Sequence, residues 1–178
     1  MRRVAIIGCG GAGKTALSLE LGRLLDLPVV HVDAHYWRDS PASPTGHWPE
    51  LHRQLVAGEA WIVDGMKPGV LGERLERADT VVFIDLPRRT CLRGLVERRF
   101  RFRRRPRPEL GRPDRLTRAY VRWVWRFPRD VLPSIRVALA TCRCEVVTLR
   151  SRREIDGYVR GLEAARSAEP AVDVVPHH

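Results

Sequence analysis

Apolar residues in this chain fall into short runs, and longer stretches with helical spacing separate the runs. Five runs stand out, and the first four stop at a glycine, a proline or a carboxylate: residues 4–7, 27–32, 60–63, 80–86 and 145–149. Runs of this length are typical of buried strands. Strands that alternate with helices predict an α/β fold in which helices cover both faces of a parallel sheet.

The first run breaks into the sequence GCGGAGKT, which satisfies the pattern G-x-x-x-x-G-K-[ST] and leads into good helix formers. Glycines let successive backbone N–H groups converge on one anion, Lys14 can reach the β/γ-phosphates, and Thr15 can place its hydroxyl on Mg²⁺. The following helix presents its N-terminus to the phosphates. We therefore predict a nucleotide phosphate site formed by Gly8, Gly10, Gly11, Ala12, Gly13, Lys14, Thr15 and Ala16.

Basic composition supports this interpretation over a chance glycine-rich turn. Of the 32 Lys and Arg residues, only Lys14 and Lys67 are lysines. An ammonium is the group that a phosphate-binding loop uses as a point charge, and arginine does not replace it there.

Length and composition predict one domain over residues 1–166, followed by a flexible tail at 167–178. No apolar run approaches the roughly 18 residues of a membrane span, and no signal peptide is evident, so we expect a cytoplasmic protein. The four cysteines lack paired C-x-x-C spacing, and we expect them to be reduced and without a specific role.

The second half of the chain is more helical. A helix is expected from residue 116, and Pro128 is expected to interrupt it. Ser151 and Glu154 have the spacing of a capping box and predict the start of the last helix.

The net charge of +11 is concentrated at residues 97–113, where eight arginines fall between Arg98 and Arg112. Such a cluster can handle a polyphosphate, or it can follow a nucleic-acid backbone, since Phe100 and Phe102 lie among the arginines. A basic surface that serves only solubility is the third interpretation.

These motifs resemble the P-loop kinase group that contains adenylate kinase. They resemble more closely the adenylate-kinase-related proteins called DNA topology modulation proteins, through GCGGAGKT, VDAHYW, WIVDG, ADTVVFIDLP, RWVWRFP and LRSRREIDGYV. The resemblance implies a five-stranded parallel sheet, ATP and Mg²⁺ as ligands, and a lid at residues 97–113 in which Arg98 and Arg99 close on the triphosphate. It also implies that Asp64 holds Mg²⁺ through water beside Thr15, whereas an Asp-Gly pair can equally be an ordinary turn at a strand end.

The chain departs from adenylate kinase after this Asp-Gly pair. Adenylate kinase has an arginine there that grips the acceptor phosphate, but residues 66–69 contain none. Lys67 is either its substitute or an ordinary surface lysine.

Asp33 follows the second strand and is the candidate general base. It resembles the aspartate of the D-x-F-Y segment in uridine-kinase-like enzymes and the strand-end aspartate of shikimate kinase. A carboxylate helps a hydroxyl acceptor, which must lose a proton, more than an ionised phosphate. We therefore predict a kinase that phosphorylates a hydroxyl of a nucleoside-like, sugar-like or other metabolite, with a nucleoside monophosphate kinase and a nucleic-acid-binding P-loop NTPase as alternatives, and with a capping role as the alternative for Asp33.

Overall fold

The computed structural model describes residues 1–39, 48–66, 68–108 and 116–168. At its centre lies a sheet of five parallel strands in the order β2-β3-β1-β4-β5. The strands are β1 Arg3–Gly8, β2 Val29–His31, β3 Trp61–Asp64, β4 Thr80–Ile84 and β5 Glu145–Leu149. The predicted α/β fold with a five-stranded parallel sheet is confirmed.

Eight α-helices connect or follow these strands in the described residues. They are α1 Lys14–Leu25, α2 Val32–Asp39, α3 Trp48–Leu55, α4 Leu71–Arg77, α5 Arg88–Arg101, α6 Arg118–Asp130, α7 Leu132–Thr141 and α8 Arg152–Ala168, and a 3₁₀ turn spans Pro68–Val70. None of these described helices has the length and apolar character that crossing a membrane requires.

The core is built around β1, which lies in the middle of the sheet. Residues 4–7 are completely buried, and so are Val81 and Val82 of the neighbouring β4. A strand with helices on both faces has no solvated side, which explains why this sequence is continuously apolar instead of alternating. Because all strands are parallel, their carboxyl ends meet at one edge of the sheet, where Gly8, Asp64 and the residues after β2 lie.

Two expectations about element boundaries are wrong. The second strand stops at His31, and α2 begins at Val32, so Asp33 lies in the first turn of a helix. Pro128 does not interrupt α6, which continues to Asp130. A proline leaves the carbonyl of the residue four positions earlier without its helical donor, and here that carbonyl, on Val124, faces the Cys9 thiol at an Sγ–O distance of 4.0 Å.

The predicted Ser151 cap at the start of α8 is confirmed, but Glu154 reaches back to the N–H of Arg150 and not to that of Ser151 as in a capping box. The Glu154 N–H donates to Ser151 Oγ (3.1 Å), and the Ser151 hydroxyl donates to Glu154 Oε1 (3.0 Å). Glu154 Oε2 also accepts the Arg150 N–H at 2.8 Å. The start of this helix is therefore fixed next to the carboxyl end of β5.

The expectation of four reduced cysteines is wrong for one pair. Cys142 and Cys144 form a disulfide between the end of α7 and the start of β5, where their Cα atoms are 5.4 Å apart, within the range that a disulfide spans. Cys9 and Cys91 are buried free thiols.

Candidate active site

The loop between β1 and α1 has the conformation of an anion cradle. Gly8, Gly11 and Gly13 have φ values of 146°, 78° and 101°, which L-residues with a side chain rarely adopt. No side chain of the described residues caps Gly13 at the start of α1, so the first N–H groups of the helix are available to an anion. The Lys14 ammonium curls back over the loop and donates to the carbonyls of Gly8 (3.0 Å) and Cys9 (2.9 Å).

Helix α5 packs its backbone directly on this loop. A Cβ added to Gly11 would lie 2.2 Å from the Cys91 carbonyl oxygen, and one added to Gly94 would lie 2.2 Å from the Gly11 carbonyl oxygen. Only glycine at both positions allows such an approach, so the shape of the loop depends on α5.

Asp64 ends β3 at the same edge and is 3% exposed. Its Oδ2 accepts from the Ser18 hydroxyl (2.8 Å), and its Oδ1 lies 3.0 Å from His31 Nδ1. Burial acts to raise the pKa of this carboxyl, but the hydrogen bonds of His31 and Ser18 and the charge of Lys14 lower the pKa below its usual value. Asp64 is therefore a carboxylate at neutral pH.

This arrangement fits a hydrated magnesium ion between Thr15 and Asp64. Ser18 follows Thr15 by one helical turn and also lies 2.9 Å from the Thr15 carbonyl oxygen, so Asp64 faces the first turn of α1. The described residues contain no cluster of three or more His, Cys, Asp or Glu side chains that could hold a metal. Mg²⁺ needs no such cage, because it keeps several waters and binds one or two protein ligands together with substrate phosphates.

Asp33 lies half-buried against the end of β3. A Cβ added to Gly65 would lie 3.5 Å from Asp33 Oδ1 and 3.0 Å from the Cβ of Val32. The charge of Asp33 acts on both Arg74 and Tyr120. The structure therefore brings Asp33 to the edge that carries the phosphate loop and Asp64.

Arg74 is a buried site-proximal residue that the sequence reasoning missed. It is completely buried, and its Nη1 donates to the Gly65 carbonyl at 2.8 Å. Burial lowers its pKa to about 10, against the opposing effect of the Asp33 and Asp64 charges. The sequence does indicate that Arg74 is buried, because helical spacing places it on the apolar face of α4 with Leu71 and Leu75.

His52 completes this buried network from α3. Its Nε2 lies 3.3 Å from Nε and from Nη2 of Arg74, and because a guanidinium only donates, Nε2 accepts and the proton is on Nδ1. That Nδ1 faces Glu73 Oε2 at 3.6 Å. Burial, with a smaller effect of Arg74, lowers the pKa of His52 to about 4, so the imidazole is neutral at pH 7.

Tyr120 is the second residue that the sequence reasoning missed, and it lies over the phosphate loop. A Cβ added to Gly10 would be 2.3 Å from its hydroxyl oxygen. Arg98, in the last turn of α5, acts electrostatically on the Tyr120 hydroxyl, and its guanidinium carbon lies 5.9 Å from the Tyr120 ring centroid. Arg99 follows Arg98 in α5 and is half-buried. Arg98 is thereby brought to the phosphate site.

The arginine-rich segment is described as far as residue 108, so residues 109–113 of the predicted lid lie outside the described residues, as does Lys67. At the end of α5 and just after it, the segment forms a basic surface in which Phe100 is 70% exposed. A surface cavity of about 320 Å³ lies there, lined by Phe100, Arg101, Arg103, Arg104 and Arg105.

Solved structures resemble this fold over nearly the whole chain. Shikimate kinase from Acinetobacter baumannii, in complex with shikimate, superposes with a TM-score of 0.61 at 14% identity and covers 96% of both chains. Shikimate kinase from Bacteroides thetaiotaomicron gives a TM-score of 0.58 at 18% identity, over 93% of this chain and 98% of that one. The fold is that of the shikimate kinases.

At such low identity the likeness establishes the fold and no more. No protein-family model matches the sequence, and no curated protein matches it.

Proposed function

We propose that this protein is an ATP- and Mg²⁺-dependent kinase that phosphorylates a hydroxyl group of a small molecule. The observation that carries the proposal is the position of Asp33, whose carboxylate lies at the edge of the sheet that also holds the Lys14 loop and Asp64. A phosphate cradle and a carboxylate on one edge supply the donor and acceptor halves of a phosphoryl-transfer site.

On the donor side, the glycine loop and the N-terminus of α1 would bind the phosphates, and Lys14 would neutralise the β/γ end. Thr15 and Asp64 would hold Mg²⁺, which shields the phosphate charge when bound. Arg98, and Arg99 beside it, would stabilise the charge that develops on the transferred group.

On the acceptor side, Asp33 would accept the proton of the attacking hydroxyl. Asp33 is half-buried, so an acceptor bound to it would lie between α2 and the phosphate loop and be partly shielded from solvent. The shikimate kinase of A. baumannii, which shares the fold, holds the small molecule shikimate, and this supports an acceptor of that size. We also propose that the protein is related to the DNA topology modulation proteins, whose motifs it resembles, and that it is cytoplasmic.

The alternative of a nucleoside monophosphate kinase finds no support from Arg74. It needs a cation that can grip the acceptor phosphate, and Arg74, which follows the Asp-Gly pair, is completely buried and tied to Gly65 and His52. A guanidinium in this position stabilises the contact of α4 with α3 and with the end of β3, and it does not face an acceptor.

A nucleic-acid-binding NTPase is the second candidate, and one observation favours it. The surface of Phe100 and the arginines up to Arg105 combines an exposed ring with several cations, a combination that suits single-stranded nucleic acid. It predicts binding to arbitrary single-stranded DNA that weakens steeply with salt.

The proposal is tested by incubating the protein with ATP and Mg²⁺ and a panel of nucleosides, sugars, hydroxylated acids and nucleoside monophosphates, with detection of phosphorylated products by mass spectrometry. For the best hydroxyl acceptor, Asp33→Asn should lower kcat by about 10²–10⁴-fold, because asparagine keeps the size but is no base. Asp26→Asn is the matched control and should retain full turnover, because Asp26 lies at the end of α1 that is remote from the phosphate loop.

Phosphorylation of nucleoside monophosphates alone, or full turnover by Asp33→Asn, would overturn the hydroxyl-acceptor proposal. DNA-stimulated ATP hydrolysis without any phosphorylated product would instead favour the nucleic-acid-binding candidate.

A further inference from the structure

Tyr120 lies where the two halves of the proposed site meet. Its hydroxyl contacts the loop at Gly10, the Arg98 guanidinium lies beside its ring, and Asp33 is within electrostatic reach. The loop residues just before Gly10 supply the carbonyls that hold the Lys14 ammonium. Since this lysine reaches the β/γ-phosphates, the Gly10 side of the loop is where the terminal phosphate of a bound nucleotide belongs.

The hydrogen-bonding capacity of the phenol also favours a contact between Tyr120 and the terminal phosphate. A guanidinium has donors only, so toward Arg98 the Tyr120 oxygen can only accept, and the phenolic hydrogen can donate to an acceptor in the site. Burial raises the pKa of Tyr120 above its usual value, with Asp33 and Cys9 adding to the shift and Arg98 opposing it. The phenol therefore keeps its proton at neutral pH.

Local packing fixes this orientation. The Thr117 hydroxyl caps α6 by accepting the Tyr120 N–H at 3.2 Å, and the Tyr120 ring stacks on Trp123 with 5.7 Å between centroids. A side chain held in this way loses little conformational entropy when it binds a ligand.

We propose that the Tyr120 hydroxyl donates a hydrogen bond to the terminal phosphate of the bound nucleoside triphosphate while it holds Arg98 against the same group. This inference rests on the proposed function and deepens it, because it names the residue by which the site distinguishes a triphosphate from a diphosphate.

The test compares nucleotide binding by wild type, Tyr120→Phe and Tyr158→Phe. Affinities for the β,γ-imido analogue of ATP and for ADP, each with Mg²⁺, are measured by titration calorimetry. Tyr158 is the matched control, since its hydroxyl lies 3.9 Å from Met1 Sδ, at the opposite edge of the sheet. Thermal denaturation of both variants verifies that they are folded.

Tyr120→Phe should weaken binding of the triphosphate analogue about tenfold or more, as expected for the loss of a hydrogen bond to a charged group. Binding of ADP should be unchanged in this variant, and Tyr158→Phe should bind both nucleotides like wild type. A purely structural role of Tyr120 would change the two affinities by the same factor.

If Tyr120→Phe loses the same affinity for both nucleotides, or loses none, the inference about Tyr120 is wrong. The proposed function still holds in that case if the wild-type protein binds nucleotide and phosphorylates an acceptor. A wild-type protein that binds neither nucleotide would overturn the proposed function and this inference together.

Discussion

His52 shows at the residue scale how burial changes the chemistry of one side chain. Its pKa is lowered to about 4 from 6.5, so between these pH values the unfolded chain binds a proton that the folded chain does not. The free energy of unfolding therefore falls as the pH drops from about 6.5 to 4, by at most about 3 kcal/mol from this residue.

Urea denaturation at pH 7 and at pH 5 measures this effect in wild type and in His52→Gln, whose amide oxygen can accept from Arg74 but does not titrate. We expect the loss of stability between the two pH values to be smaller in the variant. An identical loss in both proteins would show that His52 is not buried in its neutral form.

Among single residues, those that belong to the loop could be predicted, because their chemistry is encoded within a few adjacent positions. Lys14 and Thr15 are of this kind. Ser18, Arg74 and Tyr120 come from three different helices, and no local pattern indicates that they converge on the same edge of the sheet. Only the position of Arg74 on an apolar helix face gave a signal.

The contact of α5 with the phosphate loop leads to a prediction at the scale of elements. Gly94→Ala would place a Cβ 2.2 Å from the Gly11 carbonyl oxygen, whereas Gly161, in α8, has no atom within 4 Å of an added Cβ. We expect Gly94→Ala to lower the free energy of unfolding by about 1–3 kcal/mol through overpacking. The matched variant Gly161→Ala should raise it by about 0.5–1 kcal/mol, because alanine favours the helix.

Urea denaturation of the two variants provides the measurement, and calorimetry with ATP should show weaker binding for Gly94→Ala alone. If both variants gain stability to a similar extent, α5 does not contact the loop as described.

The elements themselves were predictable where burial controls the sequence. The strands β1, β3 and β4 carry apolar runs because both faces of the sheet are covered there, and the run at residues 145–149 has the bounds of β5. The sequence reasoning failed where tertiary contacts override local rules. A proline usually ends a helix, but α6 continues through Pro128 and leads directly into α7, and α2 starts one residue after a strand that is only three residues long.

At the scale of the whole molecule, one edge of the sheet collects the phosphate loop, the Asp64 carboxylate, Asp33 and Arg98. The parallel topology explains this, because carboxyl strand ends in such a sheet form a common ligand-binding crevice. The fold and the loop followed from the sequence. The acceptor did not, since its identity depends on side chains from several elements and on the shape they form together.

We propose that this edge of the sheet binds ATP through Lys14, and titration calorimetry with ATP and Mg²⁺ measures this binding. Lys14→Ala removes the ammonium that now contacts the Gly8 and Cys9 carbonyls. Arg23→Ala removes an exposed cation from the same helix, where Arg23 pairs with Glu20, and serves as the matched control. We predict that wild type and Arg23→Ala bind ATP equally and that Lys14→Ala binds it at least tenfold more weakly, in keeping with a lost charge-assisted contact. Equal ATP affinity of Lys14→Ala and wild type would show that Lys14 does not bind the phosphates.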